Sequence, residues 1–316
     1  MNDEAKHCLV ISDGRRGIEN QALGLAEACA AIRSLTLQTF HIQHGKALAA
    51  MPPKLQLCLA KFDFPVCDIA IGCGRQAIAP LLFLKRIHPH VMTIYVQDPR
   101  VDPTQFDLVI APEHDLIRGV NVETMIGSPN RVSDTKIIGD TLHFAQGLAK
   151  LPMPRTTMLI GGGSKTHKLD KVSHAIHLQA ARFLLDRGHS LLITTSRRTV
   201  DFAVLEWKKF ASEYDQVWLH DGDGPNPYFA FLGGADQILV TEDSTNMLTE
   251  ACATGKPVYR LPMSGTPGKF QILYDALEKK CGVVRFAGQT EGKDYPPLAE
   301  TVRMADKIWI RFDQRV

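Results

Sequence analysis

The chain of 316 residues is 45% hydrophobic and 22% charged, with 36 basic and 34 acidic side chains. That length is more than one hydrophobic core usually fills, so two domains are expected, and the composition excludes collagen-like and disordered classes. Charge is even along the chain, with 15 basic and 15 acidic residues up to position 150 and 21 and 19 beyond it. This balance argues against the concentrated positive footprint of a nucleic-acid binder.

The opening residues Met1 to His7 carry mixed charge, and Cys8 to Ile11 is too short an apolar run for a signal-peptide core. No stretch approaches the roughly 20 apolar residues of a membrane span. A cytoplasmic protein is therefore expected, with peripheral contact at the inner membrane face left open. Seven cysteines (Cys8, Cys29, Cys58, Cys67, Cys73, Cys252, Cys281) form no CxxC pair. They fit reduced, mostly buried thiols rather than a zinc ribbon or a redox motif.

Short β-branched runs alternate with helical patterns, the signature of parallel-sheet α/β domains. The first strand, 7–12, leads through Ser12-Asp13-Gly14-Arg15-Arg16-Gly17 into a helix at 20–33, where Ala22, Leu25, Ala26 and Cys29 share one face. Glycines, arginines and carboxylates at a strand's carboxyl end suit an anion clamp and a general base. Asp13 is the leading base candidate, with capping of its own loop as the alternative role. Gly14, Arg15, Arg16, Asn20 and Gln21 are assigned to the acceptor side.

Strands follow at 35–42 and 68–72, then Gly74 and Arg75 open a helix at 75–87. The strand at 91–96 ends in Gln97 and Asp98, which join Gly74 and Arg75 on the acceptor side. After the strand at 107–111, His114 is the second base candidate, and a strand at 121–126 closes the half. Pro152 and Pro154 mark the expected boundary: a first domain over 1–150, a second over 151–296, and an amphipathic helix at 297–316 that packs back on the first.

In the second half a strand at 156–161 runs into Gly161-Gly162-Gly163-Ser164-Lys165. Such glycines let backbone N–H groups approach a diphosphate, although the spacing is neither a Walker loop nor GxGxxG. A plain turn is the competing reading. A helix at 170–187 and a strand at 190–195 lead to Thr195, Ser196 and Arg197, hydroxyls and a guanidinium suited to phosphate or to capping the helix at 199–212.

The strand at 216–220 precedes Asp221-Gly222-Asp223, read as a turn and not as a metal-binding DxD. A short helix at 226–232 and a strand at 236–241 reach Asp243-Ser244-Thr245-Asn246, which opens a helix at 245–254. Asp243 or Ser244 caps that helix, its first N–H groups point at a ligand, and Glu250 stands one to two turns in, placed to take ribose hydroxyls. A strand at 257–261, a helix at 270–280 and a strand near 283–286 complete the pattern. HExxH, GxSxG, EF-hand and clustered Cys/His patterns do not occur, so neither a metal nor a cofactor is expected.

The chain resembles the family named for a plant mitochondrial-fission protein, whose bacterial members are described as candidate glycosyltransferases. The resemblance rests on Ser12 to Leu25, on Leu159 to Ser164, on Glu242 to Met247 with Glu250, and on Thr254-Gly255-Lys256-Pro257-Val258. The second half is also similar to the donor half of GT-B enzymes, and Gly162, Gly163, Ser164, Ser244, Thr245, Asn246 and Glu250 fall on its diphosphate and ribose elements. Glu242-Asp243-Ser244 replaces the glycine-rich stretch common there. The resemblance implies two Rossmann-like doubly wound domains facing a cleft. It also implies an enzyme that moves a sugar from a nucleotide-sugar to a saccharide or lipid-linked acceptor. An epimerase on the same fold and a non-catalytic scaffold are the alternatives.

Overall fold

The computed structural model describes residues 5–42, 51–59, 62–290 and 292–315. In chain order the elements are β1 (Lys6–Ser12), α1 (Arg16–Ile32), β2 (Leu35–His41), α2 (Pro53–Leu59), β3 (Ile69–Cys73), α3 (Ile78–Ile87), β4 (Met92–Val96), β5 (Leu108–Pro112) and β6 (Val122–Met125). There follow α4 (Asp134–His143), α5 (Ala145–Ala149), β7 (Arg155–Ile160), β8 (His167–Lys168), α6 (Lys171–Asp186), β9 (Ser190–Thr195), α7 (Asp201–Ser212) and β10 (Val217–His220). The last are α8 (Tyr228–Gly234), β11 (Gln237–Thr241), α9 (Thr245–Cys252), β12 (Val258–Leu261), β13 (Ser264–Gly265), α10 (Phe270–Cys281), β14 (Val284–Arg285) and α11 (Glu300–Asp313).

Two compact units result, residues 1–131 with 299–316 and residues 132–298. The first holds a six-stranded sheet in the order β2-β1-β3-β4-β5-β6, parallel throughout. The buried runs of β1, β3, β4 and β5 do not alternate between buried and exposed residues because both faces are covered, whereas the edge strand β2 alternates. Cys8, Val10, Ile71 and Ile94 join a core with α1 and α11, while Leu9, Ile11, Ala70 and Tyr95 point the other way toward Ile78, Leu81 and Leu84 of α3. α11 is tied to α1 by Trp309, whose ring N–H donates to the Cys29 carbonyl at 3.1 Å, and by Arg33, paired to Asp313 at 2.7 Å.

The second unit's sheet, β10-β9-β7-β11-β12-β14, is also parallel throughout, and β8 and β13 pair as a separate antiparallel ribbon. Numbered within the unit, the strand order is that of a dinucleotide-binding fold, reversing direction between β7 and β11. In the first unit the reversal lies between β1 and β3. Ligands of open α/β sheets bind at the carboxyl ends of strands beside such a reversal. The division of the chain falls at Arg131 and Val132, earlier than the prolines from which the sequence placed it. Phe144 and Leu148 of this segment join Leu192 and Phe231 in the second unit's core, which carries α4 and α5 with it.

Candidate functional site

At the second unit's reversal point two loops meet. The Gly161 N–H donates to Thr241 Oγ1 at 2.8 Å, the Gly163 N–H donates to Asp243 Oδ2 at 2.8 Å, and the Thr241 hydroxyl donates to Asp243 Oδ1 at 2.7 Å. The contact is so close that a Cβ on Gly161 would lie 2.2 Å from Asp243 Oδ1, while Gly163 sits at φ +85°. The Gly163 N–H is thus spent on the protein's own Asp243 side chain, and the Gly161 N–H on Thr241. Ser164 closes the next turn, its N–H donating to the His167 carbonyl at 2.7 Å and its Oγ accepting from the His167 N–H at 3.2 Å.

The helix after the glycines, α6, starts only at Lys171 and is capped by Asp170, whose Oδ1 accepts the Ser173 N–H at 2.9 Å. Lys165 is exposed beside the glycines. Thr195 ends β9. Ser196 and Thr199 stabilise the following loop instead of capping α7: the Ser196 N–H donates to Thr199 Oγ1 at 2.9 Å, and Thr199 Oγ1 donates to the Gly161 carbonyl at 3.0 Å. Arg197 projects outward, exposed. Asp221, singled out for its DxD-like spacing, pairs with Lys208 at 2.7 Å.

Ser244 is the N-cap of α9, its Oγ accepting the Met247 N–H at 3.3 Å, and Thr245 and Asn246 form the first turn. Asp243 faces back to the glycines instead of capping. Glu250, on the same helix, accepts a hydrogen bond at Oε2 from the Tyr228 hydroxyl at 2.5 Å. Burial pushes its carboxyl group up to about 7, with the Tyr228 hydrogen bond acting in the opposite direction.

Glu242, one residue before Asp243, is fully buried. Its Oε1 accepts from Arg260 at 3.0 Å and Arg285 Nε at 2.7 Å, and its Oε2 from a second Arg285 nitrogen at 3.0 Å and the Met263 N–H at 3.2 Å. The Tyr274 hydroxyl donates to the Glu242 carbonyl at 2.7 Å and lies 3.2 Å from His167 Nε2. With that hydroxyl proton spent, Nε2–H must be the donor, so His167 carries its proton there. Burial lowers the His167 pKa and favours this neutral form.

In the first unit Asp13 is held by Arg15: the backbone N–H reaches Oδ1 at 3.1 Å, and Nε and a terminal nitrogen reach Oδ2 at 2.8 and 2.6 Å. A carboxylate has about four lone-pair positions, so among the described residues one on Oδ1 has no donor. Arg16 and Gly14 are exposed and Asn20 is partly buried. Gln21 is buried, its Oε1 accepting the Gln97 side-chain amide at 3.1 Å and the Cys73 thiol at 3.6 Å. Gln97 holds φ +88°, a left-handed conformation uncommon for a non-glycine residue.

Asp98 accepts the Arg100 N–H at 2.8 Å, Gly74 precedes the turn at Arg75, and Arg75 donates to the Met51 carbonyl at 3.0 Å. His114 is buried on the turn after β5, 3.9 Å from Asp115. β1 and β5 are three strand spacings apart in the sheet, about 14 Å, so Asp13 and His114 follow strands that are not neighbours. They are alternatives and not a pair.

Sequence reading missed Thr241, Tyr228 and the role of Glu242. Thr241 ends a strand beside the glycines, a signal that was available. Tyr228 is 22 residues from its partner Glu250, and nothing local in the sequence announces that contact.

Solved structures with this architecture include the UDP-GlcNAc 2-epimerase from Methanocaldococcus jannaschii, at TM-score 0.57 and 10% identity, covering 96% of this chain and 99% of that one. Another is E. coli ADP-heptose LPS heptosyltransferase II, at TM-score 0.52 and 14% identity, covering 98% and 99%. At such identities the likeness establishes the fold alone, two parallel-sheet units of the GT-B type. Mitochondrial fission protein ELM1 of Arabidopsis thaliana is 26% identical over 268 residues, 76% of this chain and 62% of the plant protein. The match thus spans less than two thirds of that relative's length. The family described as Mitochondrial fission ELM1 matches residues 16–312, from the start of α1 into α11 and through the second unit's reversal point; the chain belongs to this family.

Proposed function

We propose that the chain is a metal-independent glycosyltransferase that takes its sugar from a nucleotide-diphosphate sugar, with the nucleotide held by the second unit. The observation that carries this reading is Glu250, a carboxyl group on the helix at the reversal point. It is pushed up by burial and hydrogen-bonded to Tyr228, with no ion-pair partner among the described residues. A half-buried carboxyl group that desolvation raises, without a compensating cation, is costly for the fold and supports a binding role. In this reading Glu250 takes a ribose hydroxyl and the first turn of α9, at Thr245 and Asn246, faces the diphosphate.

The glycines serve differently from the sequence expectation. Gly161 and Gly163 spend their N–H groups on Thr241 and Asp243, so they shape the loop beneath α9. Lys165 and Arg197 are the exposed cations offered to the leaving diphosphate, which makes a metal unnecessary. Asp13, with one acceptor position that has no donor among the described residues, is the proposed base for the acceptor hydroxyl, and His114 is the alternative. The similarity in fold to an epimerase and to a heptosyltransferase supports nucleotide-sugar chemistry as a class.

The test is a thermal-shift screen with nucleoside diphosphates and nucleotide-sugars. A ligand present at 100 times its Kd stabilises the native state by about 2.7 kcal/mol. Glu250→Ala is expected to weaken the best nucleotide by about 1–3 kcal/mol, the range for a hydrogen bond to a charged group. No stabilisation by any nucleotide in the panel sinks the reading. Conversion of a nucleotide-sugar without acceptor would instead favour the epimerase.

A further inference from the structure

Tyr228 and Glu250 come from different helices and meet across the second unit through one hydrogen bond, at Oε2. Oε1 accepts no hydrogen bond from the described residues. The other titratable groups on the elements packed against α9 are engaged elsewhere or exposed. Arg260 of β12 is committed to Glu242, Tyr259 of β12 packs on Phe286, and Lys256 reaches the carbonyl groups at the end of α8. On α10, Tyr274 donates to the Glu242 carbonyl and Cys281 meets Cys252, beside which Tyr295 also lies. Asp275, Glu278, Lys279 and Lys280 of α10 are exposed. Tyr228 is the titratable group that acts on Glu250.

We propose that Tyr228 is a positioning residue: its hydroxyl fixes Oε2 of Glu250, so that Oε1 is presented to a ribose hydroxyl of the bound nucleotide as an acceptor. The inference rests on the nucleotide reading above. A phenol donating to a carboxylate favours the charged, acceptor-only form over the neutral acid. Burial acts the other way and holds the group at about 7. Removing the phenol leaves burial unopposed. A tyrosine that merely tied α8 to α9 would weaken binding by one factor at every pH, whereas a positioning tyrosine moves the pH at which binding is gained.

Two measurements on the full chain test this. Carboxyl-carbon NMR follows the titration of Glu250 in the wild type and in Tyr228→Phe, and calorimetry measures UDP, GDP and ADP binding to both between pH 6 and pH 9. Wild-type affinity is expected to rise with pH by about tenfold, as the charged fraction of a group titrating near neutrality does. In Tyr228→Phe both midpoints move upward together, so affinity falls several-fold at pH 6–7 and recovers toward the wild type at pH 9. Glu250→Gln, with Tyr228 intact, is expected to keep only the pH dependence contributed by the ligand's own terminal phosphate, which ionises at about pH 6, and it serves if Tyr228→Phe does not fold.

Nucleotide binding with an unmoved midpoint in Tyr228→Phe overturns the positioning role and leaves the nucleotide reading standing. A rise with pH in Glu250→Gln equal to that of the wild type does the same. Absence of UDP, GDP and ADP binding to the wild type at any pH defeats the nucleotide reading, and the positioning role with it.

Discussion

His177 of α6 is buried, its Nε2 bonded to the Pro262 carbonyl at 2.8 Å, and burial lowers its pKa to about 4. The unfolded chain therefore binds this proton near pH 6.5 and the folded one does not until about pH 4. Between those values the unfolded state holds more protons, so stability is lost as pH falls. Down to pH 4 the shift corresponds to about 3 kcal/mol. In urea titrations from pH 7 to pH 4, wild type is expected to lose that much more stability than His177→Gln, whatever the variant's starting value. Parallel pH dependences would show that His177 is not buried neutral. The same scale of cause explains why the partner of Asp13 is legible in the sequence while that of Asp243 is not. Capping and chelation by Arg15 are two residues away in sequence, but the Gly163 N–H is 80 residues from Asp243.

A motif that the sequence offered only as family resemblance, Thr254 to Val258, acquires a physical role at the scale of the element. Lys256 Nζ donates to the carbonyl groups of Leu232 at 2.9 Å, Gly233 at 2.5 Å and Ala235 at 2.6 Å, closing the C-terminus of α8 where carbonyl groups lack partners and the helix dipole favours a cation. Burial lowers the pKa of this ammonium group. Lys256→Met keeps the apolar stem but orphans those acceptors, and it is expected to destabilise by about 2–3 kcal/mol in equilibrium unfolding. A change under about 0.5 kcal/mol, the range of ordinary surface substitutions, would mean that water replaces the ammonium group. α8 was read correctly as short because Gly233 and Gly234 end it. The helix α4 reads in the sequence only as an amphipathic stretch ahead of the prolines, and its Ile138 and Leu142 are exposed. It forms where Ile137 and Thr141 pack on Gly233.

The second unit is one uninterrupted segment, 132–298, with its own sheet and core, whereas the first is completed by α11 from the far end of the chain. Expressed alone, residues 132–298 are expected to unfold cooperatively and to bind the nucleoside diphosphate selected by the full chain within about tenfold of its affinity, a difference of about 1.4 kcal/mol. A folded fragment that binds no nucleotide would remove donor recognition from this unit. The division at Arg131 and Val132 could not be read from the prolines, because it follows the side on which Leu148 and Phe144 are buried. The sequence by itself determined the class of fold, since unbroken apolar runs separated by helical periodicity are satisfied only by parallel strands covered on both faces. It also determined which loops lie at strand carboxyl ends, because each polar cluster follows its strand directly. Tertiary structure alone decided strand order, and with it which loops adjoin at the reversal points. It set Asp243 against the Gly163 N–H and Tyr228 against Glu250, and put Asp13 and His114 after strands that are not neighbours. Hydrogen bonds across tens of residues depend on how the sheet is assembled, which local pattern does not encode.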